Sequence, residues 1–184
     1  MTDVRDHYLA DMRSQFVKLR SSAERAMAQV SDQDFTRLLD EENNSIAITV
    51  KHIAGNLQSR CTDFLTSDGE KPDRDRDGEF VLGPGDTRAR LMTQWQAAWD
   101  LLDAAVGALT AGDVERTVYI RAEPHTVTQA LNRHLGHLAY HTGQIVLLAK
   151  HWAGSGWRTL TIPRGQSRQF TAAKRQELAT PSGS

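Results

Sequence analysis

The chain has 184 residues, of which 39% are apolar and 24% are charged, proportions typical of one globular domain. Its 22 basic and 23 acidic residues give a formal net charge of −1, so electrostatics provides no argument for a nucleic-acid or anionic-membrane partner. The single cysteine, Cys61, excludes a disulfide framework and a cysteine-based zinc module. No stretch approaches the ~20 apolar residues of a membrane span, and the N-terminus lacks the apolar run of a signal peptide, so we expect a cytoplasmic protein.

The first half of the chain predicts two long helices and a short turn. The first helix runs from about Asp3 to Ala28, and the segment SDQDF (31–35) offers caps for a short turn. The second begins with Ser45 as its N-cap. It carries apolar residues at helical spacing, namely Ile46, Val50, Ile53, Leu57, Cys61 and Phe64. Cys61 in this pattern is expected to be an inert buried thiol.

A long polar connection, residues 66–86, follows the second helix. Its glycines, prolines and alternating charges argue against a regular element over most of its length. A loop of this size inside a compact domain often borders a functional site. A mobile surface crossover explains the same composition equally well.

The second half of the chain predicts two more helices. The third starts at Asp86 or Thr87 and ends at Gly112, and its apolar seam includes Trp95 and Trp99. Residues 116–125 are compatible with a brief extended segment. The fourth helix is the longest and spans about Thr126 to Ala153, with Gly154 ending it.

These elements predict an all-α fold, a four-helix bundle with a long crossover between the second and third helices. Residues 1–170 are expected to form a single domain. Within it, residues 154–170 should form an ordered strap, whereas residues 171–184 should form a flexible C-terminal tail.

Three histidines on the fourth helix are the main functional signal. His134, His137 and His141 fall on or beside its apolar face. Burying imidazole nitrogens without partners costs roughly 1–3 kcal/mol each, and a shared cation would remove several such costs together. Pairs at i, i+3 and at i, i+4 can both face one ion, so spacing alone does not choose the pair. Simple packing of the rings remains the alternative.

The second helix adds His52, which lies beside its apolar seam in a polar stripe with Thr49, Asn56 and Asp63. Such a stripe is expected if this face lines an internal cavity, although His52 could also pack at a helix interface with its nitrogens in water. Three imidazoles drawn from two helices would bind Zn2+, Ni2+ or a similar ion and leave one position open for water or substrate.

Two segments with these histidines, NNSIAITVKHIAGNL (43–57) and RHLGHLAYHTGQIVLLAK (133–150), together with WRTLTIPRGQS (157–167), resemble the DinB/YfiT-like superfamily of bacterial metal-binding four-helix bundles. The superfamily's late-helix signature is matched by His137, His141 and the Gly-Gln pair ending at Gln144. The resemblance therefore implies that His137, His141 and His52 are the metal ligands. It leaves His134 as a supporting or packing residue.

Proteins similar to this chain include metal-dependent transferases that use a low-molecular-weight thiol, and many with no assigned activity. The resemblance thus implies a divalent-metal protein, with a thiol S-transferase-like role in bacterial detoxification or stress response as one hypothesis. Its substrates would be a small thiol and an electrophile, and the reacting group would be a metal-bound water or thiol. A homodimer is compatible with the resemblance.

Three residues near the predicted ligands are candidates for supporting the metal or contacting a substrate, namely Asn56, Tyr140 and Gln144. Ordinary surface or helix-interface roles explain each of them as well. The zincin motif HExxH, a serine nucleophile elbow, a Walker loop and a dinucleotide fingerprint are all absent from the sequence. The competing hypotheses are a non-catalytic metal-binding structural or sensor protein and a plain interaction bundle with packed histidines.

Overall fold

The computed structural model describes residues 3–179, and in this range the protein is mostly helical. Six α-helices, three short 3-10 helices and one two-stranded antiparallel sheet are present there. The helices are α1 (Val4–Met27), α2 (Asp32–Thr36), α3 (Ile46–Cys61), α4 (Arg88–Gly107), α5 (Val127–Ala153) and α6 (Ser167–Ala179). The strands are β1 (Thr117–Ile120) and β2 (Glu123–Thr126). The all-α prediction is therefore only approximate.

Helix starts coincide with residues whose side chains accept a hydrogen bond from the first turn. Ser45 caps α3 by accepting from the backbone N–H of Ile48, and Thr87 caps α4 in the same way. Thr126 caps α5 in a reciprocal capping box with Gln129. Gly154 ends α5 with a φ of 52°, which side chains with a Cβ rarely adopt. These four predicted boundaries are confirmed.

The four long helices share one apolar core. Helix α3 packs along α4, helix α1 packs along α5, and contacts between α3 and α5 bring the two pairs together. Trp95 and Trp99 of α4 are fully buried, with ring centroids 5.4 Å apart. Both tryptophans therefore belong to the core and are not available on the surface for a dimer contact.

Helix α4 ends at Gly107, five residues before the Gly112 that the sequence predicted. A long-range contact stabilises this end: the Arg13 guanidinium of α1 donates hydrogen bonds to the backbone oxygens of Val106, Gly107 and Leu109. A cation at a helix C-terminus satisfies carbonyls that have no partner within the helix and complements the helix dipole.

Strands β1 and β2 form a hairpin where the sequence suggested only one brief extended segment. The turn between them places Arg121 and Ala122 at φ values of 55° and 62°, although neither residue is a glycine or an asparagine. The Asp68 carboxylate accepts hydrogen bonds from both backbone N–H groups, at 2.8 and 2.7 Å. The distant loop thus stabilises a turn that its own residues do not favour.

The connection between α3 and α4, which includes residues 66–86, lies against α3. Near its start, the Ser59 hydroxyl donates to the backbone oxygen of Gly69 at 2.8 Å. Near its end, the Lys51 ammonium donates to the backbone oxygen of Val81 and to the Asp86 carboxylate, at 2.7 and 2.8 Å. Of the two interpretations of this loop, its contacts with α3 favour the first, a segment bordering the face that carries His52.

Helix α6 differs from the other helices because all of its residues are exposed. It includes the first part of the predicted C-terminal tail, whereas residues 180–184 lie outside the described range. None of the helices in the described part of the chain combines the length and the hydropathy needed to cross a membrane.

Candidate metal centre

His52 of α3 and two histidines of α5, His137 and His141, converge between these helices. One ring nitrogen from each residue lies within 4.8 Å of the others. The Nε2 atoms of His52 and His137 are 3.2 Å apart. His52 and His141 are buried, and His137 is half-buried. The three histidines that the sequence singled out therefore form a cluster that could hold a metal ion.

The spacing of the nitrogens fits a shared ion. Two imidazole nitrogens bound to one tetrahedral Zn2+ at ~2.0–2.1 Å are about 3.3–3.4 Å apart. The 3.2 Å between His52 Nε2 and His137 Nε2 is close to this value. The rings of His137 and His141, whose centroids are 4.6 Å apart, are also near enough to share the ion.

A buried carboxylate orients His52. The Nδ1 atom of His52 lies 2.8 Å from Glu79 Oε2, and Glu79 in turn accepts two hydrogen bonds from the Arg74 guanidinium, at 2.8 and 2.9 Å. Burial would raise the pKa of Glu79, but the hydrogen bonds from His52 and Arg74 hold it below its usual range. An ionised carboxylate only accepts, so Nδ1 carries the hydrogen and the lone pair of Nε2 faces the other histidines.

Gln144 has the corresponding position beside His141. Its amide oxygen Oε1 lies 2.7 Å from His141 Nδ1, and because a carbonyl oxygen accepts, Nδ1 is the donor. The lone pair of His141 is then on Nε2. His137 differs, since its buried Nδ1 has no hydrogen-bond partner among the described residues. Two of the three imidazoles are thus held in the tautomer that leaves Nε2 free for a metal.

Burial keeps His137 and His141 neutral at physiological pH. Burial, together with the neighbouring His141 and His52, lowers the pKa of His137 to about 3. Burial also lowers the pKa of His141, against an opposing contribution from Gln144. Neutral imidazole is the form that binds metals, so no proton has to be displaced from these two rings near pH 7.

A cavity of about 390 Å³ opens beside the three histidines. Three of the other predicted residues line it, namely Asn56, His134 and Tyr140. Asn56 is buried, and Tyr140 is exposed with its ring 5.0 Å from that of His141. His134 packs edge-on against Phe16 and its buried Nε2 has no hydrogen-bond partner, so it lies near the cluster without being part of it.

A family model described as a protein of unknown function, DUF1572, matches residues 3–166. The chain belongs to the DUF1572 family. No curated protein sequence matches it significantly. The matched range contains all three histidines, the loop that carries Glu79, and the hairpin, and it ends just before α6.

The sequence suggested that the 66–86 loop of this DUF1572 chain could border a functional site, but sequence reasoning missed the loop residues that contribute to it. Glu79, Arg74 and Phe80 all come from that loop, and the Phe80 ring packs on His52 with centroids 4.7 Å apart. A weak signal was available in Gly55, which lies one turn of α3 beyond His52. A Cβ at this position would collide with the Glu79 carboxylate, so a glycine in mid-helix marks the approach of another segment.

The only cysteine of this DUF1572 chain is not part of the site. Cys61 is buried, as predicted, and burial raises the pKa of its thiol to about 12. A thiol that stays protonated at physiological pH is a poor nucleophile and a poor metal ligand. Any thiol that reacts at the histidine cluster must therefore come from another molecule.

Proposed function

We propose that this chain binds a divalent metal ion, Zn2+ or Ni2+, through Nε2 of His52, His137 and His141. The observation that carries the proposal is the combination of converging Nε2 atoms with Nδ1 atoms held by Glu79 and Gln144. These partners fix the hydrogen on Nδ1 of His52 and His141, so the lone pairs of the two Nε2 atoms are left for an ion. Carboxylate–histidine pairs of this kind orient imidazoles in metal sites.

We further propose that the fold is the four-helix bundle of the DinB/YfiT-like superfamily. In support, α1, α3, α4 and α5 share one core, and a long connection separates α3 from α4. The other elements of the described chain, namely α2, α6, the hairpin and the three short 3-10 helices, lie outside this set of four helices. A single domain of residues 1–170 and a cytoplasmic location complete the proposal.

The proposed reaction is the transfer of a low-molecular-weight thiol to an electrophilic small molecule, in bacterial detoxification or stress response. A divalent ion at the three histidines supplies a Lewis acid that favours the ionised form of a thiol. The chain itself contributes the cavity beside the ion, in which Asn56 offers a polar side chain and Phe80 covers His52. Because Cys61 is buried and protonated, the thiol is a substrate and not a residue of the protein.

A second candidate is a non-catalytic metal-binding protein in which the ion mainly joins helices. It is favoured because the three ligands come from α3 and α5, so that the metal would cross-link these two helices. The buried Glu79, which contacts His52, would also tie the 66–86 loop to the metal site. In this case metal removal should strongly lower the melting temperature, and no thiol should be consumed in the presence of any electrophile.

The test is elemental analysis of untagged protein. Wild type and the control His151→Ala, an exposed histidine at the end of α5, should each contain about one metal per chain. His52→Ala and His137→Ala should contain almost none. A wild-type protein that stays metal-free after incubation with Zn2+ and Ni2+ would exclude both candidates. A thiol-transfer assay on the loaded protein then separates them.

A further inference from the structure

Arginines dominate the cavity beside the histidines. Five of them line it, and no aspartate or glutamate among the described residues does; the five are Arg60, Arg74, Arg76, Arg121 and Arg133. The whole chain carries a formal charge of −1, so this excess of positive charge is local. A concave surface with charge of one sign concentrates ligands of the opposite sign.

Protein carboxylates neutralise these arginines only in part, although Arg76 lies 3.5 Å from the exposed Asp77. Arg74 is fully used, because its guanidinium contacts both Glu79 and Glu70. Glu70 also has to serve two other arginines, since it lies 3.1 Å from Arg60 and 3.4 Å from Arg121. One carboxylate shared by three guanidinium groups leaves positive charge uncompensated.

Arg60 is the most buried of the under-paired arginines. It lies on α3 in a row with His52 and Asn56 at steps of four residues, so all three side chains face the same way. Its side chain is only 11% exposed, its one carboxylate partner is Glu70, and its Nη1 has no hydrogen-bond partner in the described structure. Burial lowers the pKa of its guanidinium, and the nearby Glu70 carboxylate offsets this effect only in part. Keeping Arg60 charged in this buried position therefore costs free energy that a bound anion would reduce.

Two further arginines lie on other elements and are more exposed than Arg60. Arg133 lies on α5 one turn before His137 and is exposed, and within residues 3–179 its one polar side-chain contact is a long 3.4 Å approach to His125. Arg121 lies at the hairpin turn with its side chain 53% exposed. Three elements, α3, α5 and the hairpin, thus direct arginines to one cavity.

We propose that this cavity binds a small anion carrying a carboxylate or phosphate group, held by Arg60, Arg121 and Arg133 beside the candidate metal. Arginine forks match both groups by forming paired hydrogen bonds. The volume of about 390 Å³ suits a small molecule. This inference names the substrate class of the site proposed above and rests on that proposal.

Nucleic acid is a poorer match to the same arginines. Proteins that bind a nucleic-acid backbone present basic residues along an extended face, and their binding domains are usually strongly basic. Here the arginines converge on one cavity of a chain with a net charge of −1. The geometry therefore favours a small anion.

The test is calorimetric titration of metal-loaded protein with two anions and their neutral analogues. Succinate and glycerol 3-phosphate represent the carboxylate and phosphate sources, and succinamide and glycerol are the matched neutral compounds. At least one anion should bind, both neutral compounds should not, and raising NaCl from low to high concentration should weaken binding.

Variants then assign the binding to the arginines. The double variant Arg121→Gln with Arg133→Gln changes exposed or half-exposed side chains and should fold normally. It should bind the anion about 10- to 100-fold more weakly, the range expected for loss of charge-assisted hydrogen bonds. The double variant Arg168→Gln with Arg175→Gln, on the exposed α6, removes the same charge and should bind as wild type does.

The outcomes separate this inference from the proposed function. If the protein holds one metal per chain and neither anion binds, or if the double variant binds as tightly as wild type, the inference is wrong and the metal site stands. If metal-free protein binds the anion with the same dependence on the two arginines, the inference is supported even if elemental analysis shows no metal.

Discussion

Replacing Glu79 with glutamine should weaken metal binding without removing any proposed ligand. Glu79 Oε2 accepts from His52 Nδ1 at 2.8 Å and fixes the tautomer that leaves Nε2 free. Glutamine keeps the size of the side chain but loses the charge, and its amide nitrogen cannot accept from Arg74. His52 would then be free to rotate or to carry its proton on Nε2, where it could not bind a metal.

The expected loss follows from the number of contacts that change. Removing such a partner of a metal-bound histidine typically weakens the metal about 10- to 100-fold, which is about 1.4–2.7 kcal/mol. Folding should suffer by roughly 1.5–3 kcal/mol, the usual value for a hydrogen bond to a charged group. We expect a loss near the lower end, because Arg74, only 5% exposed, retains Glu70 at 3.1 Å.

Competition with a chromophoric chelator at pH 7.5 measures the Zn2+ affinity, and urea unfolding of metal-free protein measures stability. The control is Glu115→Gln, which removes the same charge from an exposed position. If the Glu79 variant is folded and binds Zn2+ within about twofold of wild type, Glu79 does not orient a ligand and the assignment of His52 loses its main support.

Three further predictions concern stability. Gly55→Ala should destabilise the protein by about 1–3 kcal/mol in urea, because the new methyl group meets the buried Glu79 carboxylate; helix propensity alone would stabilise it by up to about 1 kcal/mol, so the sign of the change decides. Burial lowers the pKa of His134 to about 4 from an ordinary 6.5, so the unfolded chain binds more protons between these values and metal-free protein should lose stability as the pH falls from 6.5 to 4. His134→Leu should reduce this loss. If the difference in unfolding free energy between pH 7 and pH 5, measured by urea unfolding, is the same in the variant as in wild type, the reasoning is contradicted. Removing residues 167–184 should change the melting temperature by less than about 2 °C because every residue of α6 is exposed; a drop above about 5 °C would show that α6 packs on the core.

Local sequence patterns predicted the helices and the histidine cluster. The caps at Ser45 and Thr126 depend on contacts within three residues, which is why they could be located without tertiary structure. His134, His137 and His141 share a helix face because of the 3.6-residue period, and the polar stripe of the second helix added His52. The resemblance was needed to choose His137 and His141 as the ligands on the fourth helix.

Other features were decided by contacts between segments far apart in the chain. Glu79 approaches His52 across 27 residues, and Asp68 stabilises the hairpin turn at Arg121 across 53 residues. Neither contact has a periodicity or a turn motif that could reveal it, since loop composition records polarity but not the direction in which a side chain points.

The amino-acid sequence by itself thus determined which residues could bind a metal and which segments form helices, because imidazole chemistry and helical spacing are local properties. Only the tertiary structure decided that Glu79 and Gln144 hold two of the imidazoles in a metal-binding tautomer, and that five arginines surround the adjoining cavity. These features depend on how the loop and the hairpin fold against α3 and α5, and that packing is a property of the whole chain.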